Sequence, residues 1–380
     1  MRFSDVIGQN ELKKNIIQLV QKGHLPHAML LLGHEGSSAL PLALATAQYI
    51  MCSNKSELDS CGNCKSCSKV HSLQHPDFHL SFPAGPVEKP NTAPSEQYLP
   101  SFREFTLTNP YGNDSDWFEK IKLSGKGNIS ALECRSIIPR LQLRSFEAEY
   151  KIMLIWYPEY MGEQGNILLK LIEEPSDKTI ILLVAENSEQ LLATILSRTQ
   201  LFELHRTEDQ ELAAFLEKQN IEPEKARHFS KLAEGNIRKA LQMTGEQEDD
   251  SLLRLRNWLN ALYGNRGIEL SDWCTDTSAL SKENQTAFWT YVLQMLEHYL
   301  RFKIFGPQGI EFLEAEQKLI ETLLKQGLSE QSIEKISEKV TECIYLIGRN
   351  ANAKIVYHSL SLHIQEWILA DKSRQVSLVQ

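Results

Sequence analysis

Hydrophobic residues in the first half of the chain form short unbroken runs that alternate with segments of helical spacing. The unbroken runs are HAMLLLG, YKIMLIWY, TIILLVAE and TQLFEL. Runs of this length without a polar face indicate strands that are buried on both sides. The segments between them, among them SALPLALATAQYIM and ISALECRSIIPRLQLRS, have apolar residues three and four positions apart and indicate helices. This alternation predicts an α/β fold with a parallel sheet flanked by helices.

Helical spacing continues without strands after about residue 206. The segments TEDQELAAFLEKQN, PEKARHFSKLAEG and NIRKALQMTG predict a small helical unit over residues 207–247. The acidic stretch GEQEDD is interpreted as a linker, and residues 248–380 are predicted to form a separate all-helical domain. Within the first domain, residues 1–206, the proline-containing stretch from about 80 to 128 is interpreted as an insertion, a long loop.

Composition narrows the class of protein. A length of 380 residues predicts two or three domains, and 42% hydrophobic with 23% charged residues is typical of a soluble globular protein. No apolar run reaches the roughly 18 residues of a membrane span, and the start MRFSDVIGQNELKK lacks the apolar core of a signal peptide. We therefore expect a cytoplasmic protein without membrane contact. The net charge of −9 argues against a dedicated DNA-coating protein, although a local basic surface is compatible with it.

Four of the seven cysteines lie in one short stretch, CSNKSELDSCGNCKSC. These are Cys52, Cys61, Cys64 and Cys67, and two C-x-x-C steps share Cys64. Four thiolates can complete a tetrahedral shell around zinc, which leaves no position for a substrate water. A redox pair and a set of unrelated buried thiols are the alternatives. The spacing favours a structural zinc module at residues 52–67.

The stretch LLLGHEGSSALPLALA has the frame of a phosphate-binding loop. An apolar run leads into Gly33, Gly36 follows, and a long apolar helix begins next. The phosphate-loop pattern requires a lysine and a hydroxyl residue near this point, but the chain has Ser38, Ala39 and Leu40. The loop is therefore interpreted as degenerate, with ATP bound weakly or not at all.

The end of the central apolar run departs from the pattern of nucleotide hydrolases in a second way. Such enzymes have an acidic pair there, which holds magnesium and polarises water. Here Trp156 and Tyr157 stand in those positions, and Glu159 is displaced from them by Pro158. Both losses indicate that the chain does not hydrolyse ATP.

Several segments together resemble the clamp-loader family of AAA+ ATPases of bacterial DNA polymerase III. They are FSDVIGQ, HLPHAMLLLGHEG, the cysteine cluster followed by HPD, GNILLKLIEEPSDKTIILLVAEN, LLATILSRTQ and EGNIRKAL. They occur in order between about Met1 and Gly245, and RNANAKIVYHSLSLHI is similar to the last helix of the family. The resemblance implies an AAA+ domain at residues 1–206, a helical lid at 207–247 and a helical collar at 248–380 that joins subunits in a ring.

The resemblance also implies roles for two arginines. Ser197, Arg198 and Thr199 match the Ser-Arg-Cys motif of the family, in which the arginine projects toward ATP bound by a neighbouring subunit. Arg238 matches the lid arginine that contacts the nucleotide in active members. The implied partners are the gamma/tau ATPase subunits and the delta subunit, with the sliding clamp and primed DNA within the assembly.

These observations favour a non-hydrolysing subunit that helps load the sliding clamp onto primed DNA. It would belong to a DNA polymerase III holoenzyme without having ATPase or polymerase activity of its own. Two other hypotheses stay open at this point: an active ATPase with a divergent phosphate loop, and a zinc-dependent nucleic-acid-binding protein. The acidic balance and the lack of an aromatic and basic stripe argue against the latter.

Overall fold

A computed structural model describes residues 1–86, 93–123, 127–244, 247–306 and 314–378. The chain divides into two compact units, Met1–Gln242 and Met243–Gln380. Residues 245 and 246 of the expected linker, and residues 87–92 and 124–126 of the expected insertion, lie outside the described residues. The further division of the chain into a lid at 207–247 and a collar at 248–380 stays a prediction.

The first unit contains a five-stranded parallel sheet with the order β2-β3-β4-β1-β5. The strands are β1 (Ala28–Leu32), β2 (Phe78–Ser81), β3 (Lys151–Trp156), β4 (Thr179–Ala185) and β5 (Gln200–Glu203). Every residue of β3 and β4 is buried, as expected for strands covered on both faces. Four strands coincide with the predicted apolar runs. β2 was not predicted, because His79 interrupts its four residues and leaves no unbroken apolar run. The expectation of burial on both faces was wrong for the edge strand β5, in which only Phe202 is buried.

Helices flank this sheet, and further helices follow it. They are α1 (Asn10–Gln21), α2 (Ala39–Met51), α3 (Lys65–His71), α4 (Pro94–Thr108), α5 (Asp114–Lys120), α6 (Ala131–Gln142), α7 (Leu169–Glu173), α8 (Ala193–Leu196), α9 (Asp209–Lys218), α10 (Pro223–Ala233) and α11 (Ile237–Thr244). All residues of α2 are buried, because this helix is apolar on nearly every face. The expected fold class, a parallel sheet flanked by helices and followed by helical segments, is confirmed.

The interpretation of residues 80–128 as a long loop was wrong, because α4 and α5 lie within it. An aromatic cluster holds both helices against the sheet. The Phe82 and Phe102 rings stack with centroids 4.0 Å apart, and the Trp117 ring meets both edge-on at 5.3 and 5.2 Å. Proline at the start of a helix is compatible with the helix, and Pro94 stands at that position in α4. Tertiary packing of these rings thus outweighs the local signal of prolines and glycines.

The second unit is helical throughout the residues that the structure describes. Its helices are α12 (Gln247–Tyr263), α13 (Gly267–Ser278), α14 (Lys282–Phe305), α15 (Glu314–Gln326), α16 (Glu330–Gly348) and α17 (Ala353–Leu378). Its core contains Trp258, Trp273, Trp289 and Tyr357. The Trp258 indole N–H donates to Ser361 Oγ at 2.9 Å, so that its polar group is satisfied within the core. None of the described helices in either unit combines the length and apolar character that crossing a membrane requires.

Candidate functional site

The degenerate loop lies where β1 leads into α2, at the carboxyl edge of the sheet. The Gly33 N–H donates to the Ala185 carbonyl of the neighbouring strand at 2.9 Å, which fixes the start of the loop. Ser38 and Ala39 follow and are both buried. Because their side chains are enclosed by protein, they offer no cationic or polar group to a phosphate.

The segment before α11 packs directly on this loop. Gly36 has a φ of +68°, and a Cβ at this position would meet Asn236 Oδ1 at 1.9 Å. The Gly36 carbonyl accepts a hydrogen bond from the Ile237 N–H at 2.9 Å. Glycine is therefore required here, both by its left-handed backbone and by the close approach of Asn236.

Arg238 binds carboxylates from the loop and from the insertion. Its Nε and Nη2 donate to the two carboxylate oxygens of Asp116 on α5, both at 2.6 Å, and its Nη1 lies 3.3 Å from Glu35 Oε1. The side chains of Arg238 and Asp116 are only 13% and 17% exposed. Burial tends to raise the pKa of Asp116, but hydrogen bonding to Arg238 and its charge outweigh this and lower it. The arginine that the resemblance assigns to nucleotide contact thus holds a carboxylate of the same chain.

The space beside the loop is nearly filled by protein. The remaining cavity is about 20 Å³ in volume, which holds about one water molecule. It is lined by Gly36, Ser37, Ala39, Leu40, Pro110, Tyr111, Gly112, Trp156, Tyr157, Val184 and Glu186. Tyr111 from the insertion is buried and meets the Phe215 ring of α9 at 5.9 Å. The insertion therefore occupies volume next to the loop and also contacts α9.

The charges around this cavity are mainly negative. Burial, together with the charges of Asp114, Glu35 and Glu159, raises the pKa of Glu186 to about 7. Glu159 Oε1 accepts the backbone N–H groups of Glu186 and Asn187 at 2.6 and 2.9 Å. Its carboxylate thus caps the end of β4. Like charges repel, so these carboxylates disfavour a bound triphosphate.

The residues at the end of β3 pack in the hydrophobic core. The Trp156 ring lies 5.4 Å from Phe102 and 5.7 Å from Phe105, between α4 and the sheet. Tyr157 follows with a φ of +54°, and both residues are buried. The positions at which a hydrolase has its acidic pair therefore contribute apolar contacts to the core.

Arg198 lies just after α8, next to the start of β5. Its Nη1 donates to the Thr194 carbonyl at 3.1 Å and to Ser197 Oγ at 3.3 Å. Its Nε lies 3.2 Å from Glu173 Oε2 at the end of α7, and the arginine side chain is 33% exposed. Three acceptors therefore orient a guanidinium group that still reaches solvent.

The four clustered cysteines come together in space. Their Sγ atoms all lie within 4.8 Å of one another, with Cys52 at 3.5 Å from Cys61 and 4.0 Å from Cys64. A tetrahedral zinc site with bonds of about 2.3 Å requires sulfur separations of about 3.8 Å. Burial tends to raise the pKa of Cys64, but hydrogen bonds from Ser53 and from the Cys67 N–H outweigh it and bring the pKa to about 5. The residues therefore fit a metal ion held by four thiolates.

The cysteine loop is also tied to the beginning of the chain. Asp59 accepts the backbone N–H groups of Phe3 at 3.0 Å and Ser4 at 2.9 Å. Phe3 in turn packs on Tyr49 of α2, with ring centroids 5.5 Å apart. An ion held by the cysteines would therefore stabilise a corner of the domain and need take no part in a reaction.

Four residues of this site were not singled out by sequence reasoning: Glu35, Asn113, Asp116 and Asn236. A local signal does exist, since Asn113 and Asp116 form the reciprocal capping box that begins α5. That signal predicts a helix start but not a pairing with Arg238, which lies 122 residues further along the chain.

Comparisons with known proteins point in one direction. A family model described as "DNA polymerase III, delta subunit" matches residues 8–208. The delta' subunit of Bacillus subtilis (strain 168) is 25% identical over 244 residues, 63% of this chain and 61% of that protein. The delta' subunit of Yersinia pestis is 27% identical over 178 residues, 47% of this chain and 40% of that protein. The chain thus spans less than two thirds of the length of these curated relatives.

More distant similarities were also found. The tau subunit of Escherichia coli (strain K12) is 22% identical over 251 residues, which is 64% of this chain and 32% of that protein. Among solved structures, a DNA polymerase III gamma subunit-related protein from Thermotoga maritima superposes with a TM-score of 0.37 at 12% identity, covering 94% of this chain and 99% of that chain.

Proposed function

The chain belongs to the delta' family of DNA polymerase III clamp-loader subunits, and from that premise we propose that it is a non-hydrolysing member with an AAA+ fold. In this role it assembles in the cytoplasm with the gamma/tau ATPase subunits and the delta subunit. It helps them load the sliding clamp onto primed DNA. Neither ATP hydrolysis nor DNA synthesis takes place on the chain itself.

The observation that carries the non-hydrolysing role is the closure of the nucleotide loop by the chain's own side chains. Asp116 accepts hydrogen bonds from Nε and Nη2 of Arg238, and the side chain of Asn236 lies against Gly36. ATP would have to displace these contacts and then lie among carboxylates, without a loop lysine to neutralise its phosphates. The acidic residues that would hold magnesium are also absent from the end of β3, where Trp156 and Tyr157 stand.

Arg198 is the group that we propose acts on ATP, in the site of the neighbouring subunit. A guanidinium group is always charged and can bridge phosphate oxygens with two parallel hydrogen bonds. The Glu173, Thr194 and Ser197 contacts support this role, because they restrict the side chain while leaving a third of it exposed. An arginine supplied from a neighbour can raise the rate of phosphoryl transfer by roughly 10³ to 10⁵ at most.

Exposed apolar residues on α17 support an oligomerisation role for the second unit. Ile355, Leu362 and Leu369 are 66%, 60% and 49% exposed. Because they are seven residues apart, two helical turns, they lie along one face of the helix. An exposed apolar stripe of this kind is typical of a surface that another subunit covers.

A structural zinc ion at Cys52, Cys61, Cys64 and Cys67 completes the proposal. A closed shell of four thiolates provides folding stability and no open coordination position. The ion would hold the cysteine loop against the N-terminal segment through the Asp59 contacts. It would therefore maintain the shape of the domain.

Reconstitution of the assembly tests the proposal. The chain is combined with its cognate gamma/tau and delta subunits, and ATP hydrolysis stimulated by clamp and primed DNA is measured. Arg198→Ala should lower turnover while assembly, followed by gel filtration, stays intact. The matched control is Arg227→Ala, because Arg227 is an exposed arginine on α10.

Two results would contradict the proposal. Unchanged turnover in an intact Arg198→Ala assembly would exclude the arginine finger. Brisk ATP hydrolysis by the isolated chain, lost when the Gly33–Ala39 loop is altered, would instead favour the active ATPase.

A further inference from the structure

A separate cleft of about 240 Å³ lies beside the edge strand β2. Residues of the turn before β2, of β2 itself, of α4 and of α6 line it. The side chains used below are His75, His79, Glu96, Arg103 and Arg140. None of the lining residues belongs to the nucleotide loop, the cysteine cluster or the surroundings of Arg198.

Two arginines supply the charge of the cleft. Arg103 on α4 donates from Nε to the Leu73 carbonyl at 3.0 Å, and no carboxylate within the described part of the chain pairs with it. Arg140 on α6 donates from Nη2 to Glu96 Oε1 at 2.6 Å, with its side chain only 20% exposed. Among the residues that line the cleft, two guanidinium groups therefore stand against one carboxylate.

The two histidines add donors without adding charge. His75 is 3% exposed, and burial lowers its pKa, so that the ring is neutral. Its Nδ1 accepts the Asp77 N–H at 3.2 Å, which places the ring proton on Nε2. Among the described residues Nε2 has no hydrogen-bond partner. Burial, with a contribution from the nearby Arg140 charge, lowers the pKa of His79 to about 4, so it too is neutral near pH 7.

A cleft lined by two guanidinium groups and one carboxylate suits an anion rich in acceptor oxygens. A guanidinium group can bind two phosphate oxygens with parallel hydrogen bonds. The volume is below the roughly 300 Å³ at which pockets for drug-sized ligands begin. We propose that this cleft binds the phosphate group of a small phosphorylated molecule, held by Arg103 and Arg140.

Calorimetric titration of the full chain tests this proposal, with inorganic phosphate, pyrophosphate and glycerol 3-phosphate as probes. At least one probe should bind. Arg103→Gln and Arg140→Gln should each weaken binding by about tenfold or more, the loss expected for a hydrogen bond to a charged group. Arg135→Gln is the matched control, because Arg135 lies exposed on α6 and should leave the affinity unchanged.

Glu96→Gln provides a test in the opposite direction. It releases Arg140 from its carboxylate, so phosphate should bind more tightly than to the wild-type chain. A purely structural role of the ion pair would produce no such gain.

Three outcomes would overturn the proposal. The first is no binding of any of the three probes to the wild-type chain. The second is equal binding by the wild-type chain and the Arg103→Gln and Arg140→Gln variants. The third is displacement of the probes by a short DNA duplex whose own binding falls in both variants, since this would assign the cleft to a nucleic-acid backbone.

Discussion

Asp116→Asn should loosen the contact between α11 and the rest of the first unit. The substitution removes the charge that pairs with Arg238 but keeps the shape of the side chain. It also keeps an oxygen that can accept the Asn113 N–H in the capping box of α5. The change therefore isolates the ion pair from the folding of the helix.

The magnitude follows from the burial of the pair. Removing one partner of a buried ion pair costs about 3–5 kcal/mol, because the other charge is left uncompensated. Here Glu35 remains 3.3 Å from Arg238 and is 54% exposed, so it offsets part of this cost. We expect the free energy of unfolding to fall by about 2 kcal/mol. Since the pKa of Asp116 is lowered by folding, this difference is fully present above about pH 4 and disappears as the pH falls through the folded pKa.

Urea denaturation of four proteins gives the pairwise interaction free energy. They are the wild-type chain, Asp116→Asn, Arg238→Gln and the double variant, and the cycle should give a coupling of about 2 kcal/mol. Hydrogen exchange of α11 amides should accelerate in both single variants. Glu119→Gln on the exposed side of α5 is the control and should stay within about 0.5 kcal/mol of the wild-type chain.

Two results would refute the reasoning. One is an Asp116→Asn variant no less stable than Glu119→Gln. The other is a coupling near zero, because it would mean that Arg238 is satisfied without Asp116.

Other changes test the metal centre, the buried carboxylate and the support of the arginine. Cys64→Ser should abolish binding of one equivalent of zinc measured by atomic absorption, whereas Cys134→Ala, a change in the core, should retain it; equal metal content would contradict the zinc site. Glu186→Gln should be more stable than the wild-type chain at pH 8 by up to about 3 kcal/mol, from 2.5 pKa units at about 1.36 kcal/mol each. Because the folded pKa of Glu186 is raised, its protonation stabilises the folded chain below the unfolded pKa of 4.5, and this contribution is lost as the pH rises through 7. Urea denaturation at pH 5 should therefore give a smaller stability difference between Glu186→Gln and the wild-type chain than at pH 8. A stability difference that does not change with pH would contradict the prediction. Glu173→Gln should lower turnover of the reconstituted assembly at most about fivefold, since a half-exposed ion pair contributes about 1 kcal/mol or less; a loss as large as that of Arg198→Ala would indicate another role for Glu173.

The parallel sheet was predictable because most of its strand residues are buried, the edge strand β5 being the exception. β3 and β4 are the clearest examples, with every residue buried. The four cysteines were also predictable, because their ligand atoms converge within a local loop of the chain. In both cases the spacing of residue types along the chain is enough to predict which side chains come together.

The contacts of Arg238 were not predictable from local pattern. Arg238 was singled out from the sequence. Its partner Asp116 was not, because it lies in a segment whose prolines and glycines led to its interpretation as a loop. α4 and α5 form there because Phe102, Phe105 and Trp117 find aromatic neighbours elsewhere in the chain. The secondary structure of such a segment depends on contacts between residues far apart in the sequence. A pattern read over a short stretch of sequence does not include these contacts.

Trp156 is a structural obstacle to ATP hydrolysis at this loop, in keeping with the proposed non-hydrolysing role. Replacing this buried ring by the aspartate of an active enzyme would leave a void among Phe102 and Phe105 that costs about 3–5 kcal/mol. It would also enclose a charge in an apolar setting. A lysine returned to the loop would replace the buried Ala39, and it would also enclose a charge. Engineering ATP hydrolysis into this chain would therefore require redesign of the core around Trp156 before any change to the loop.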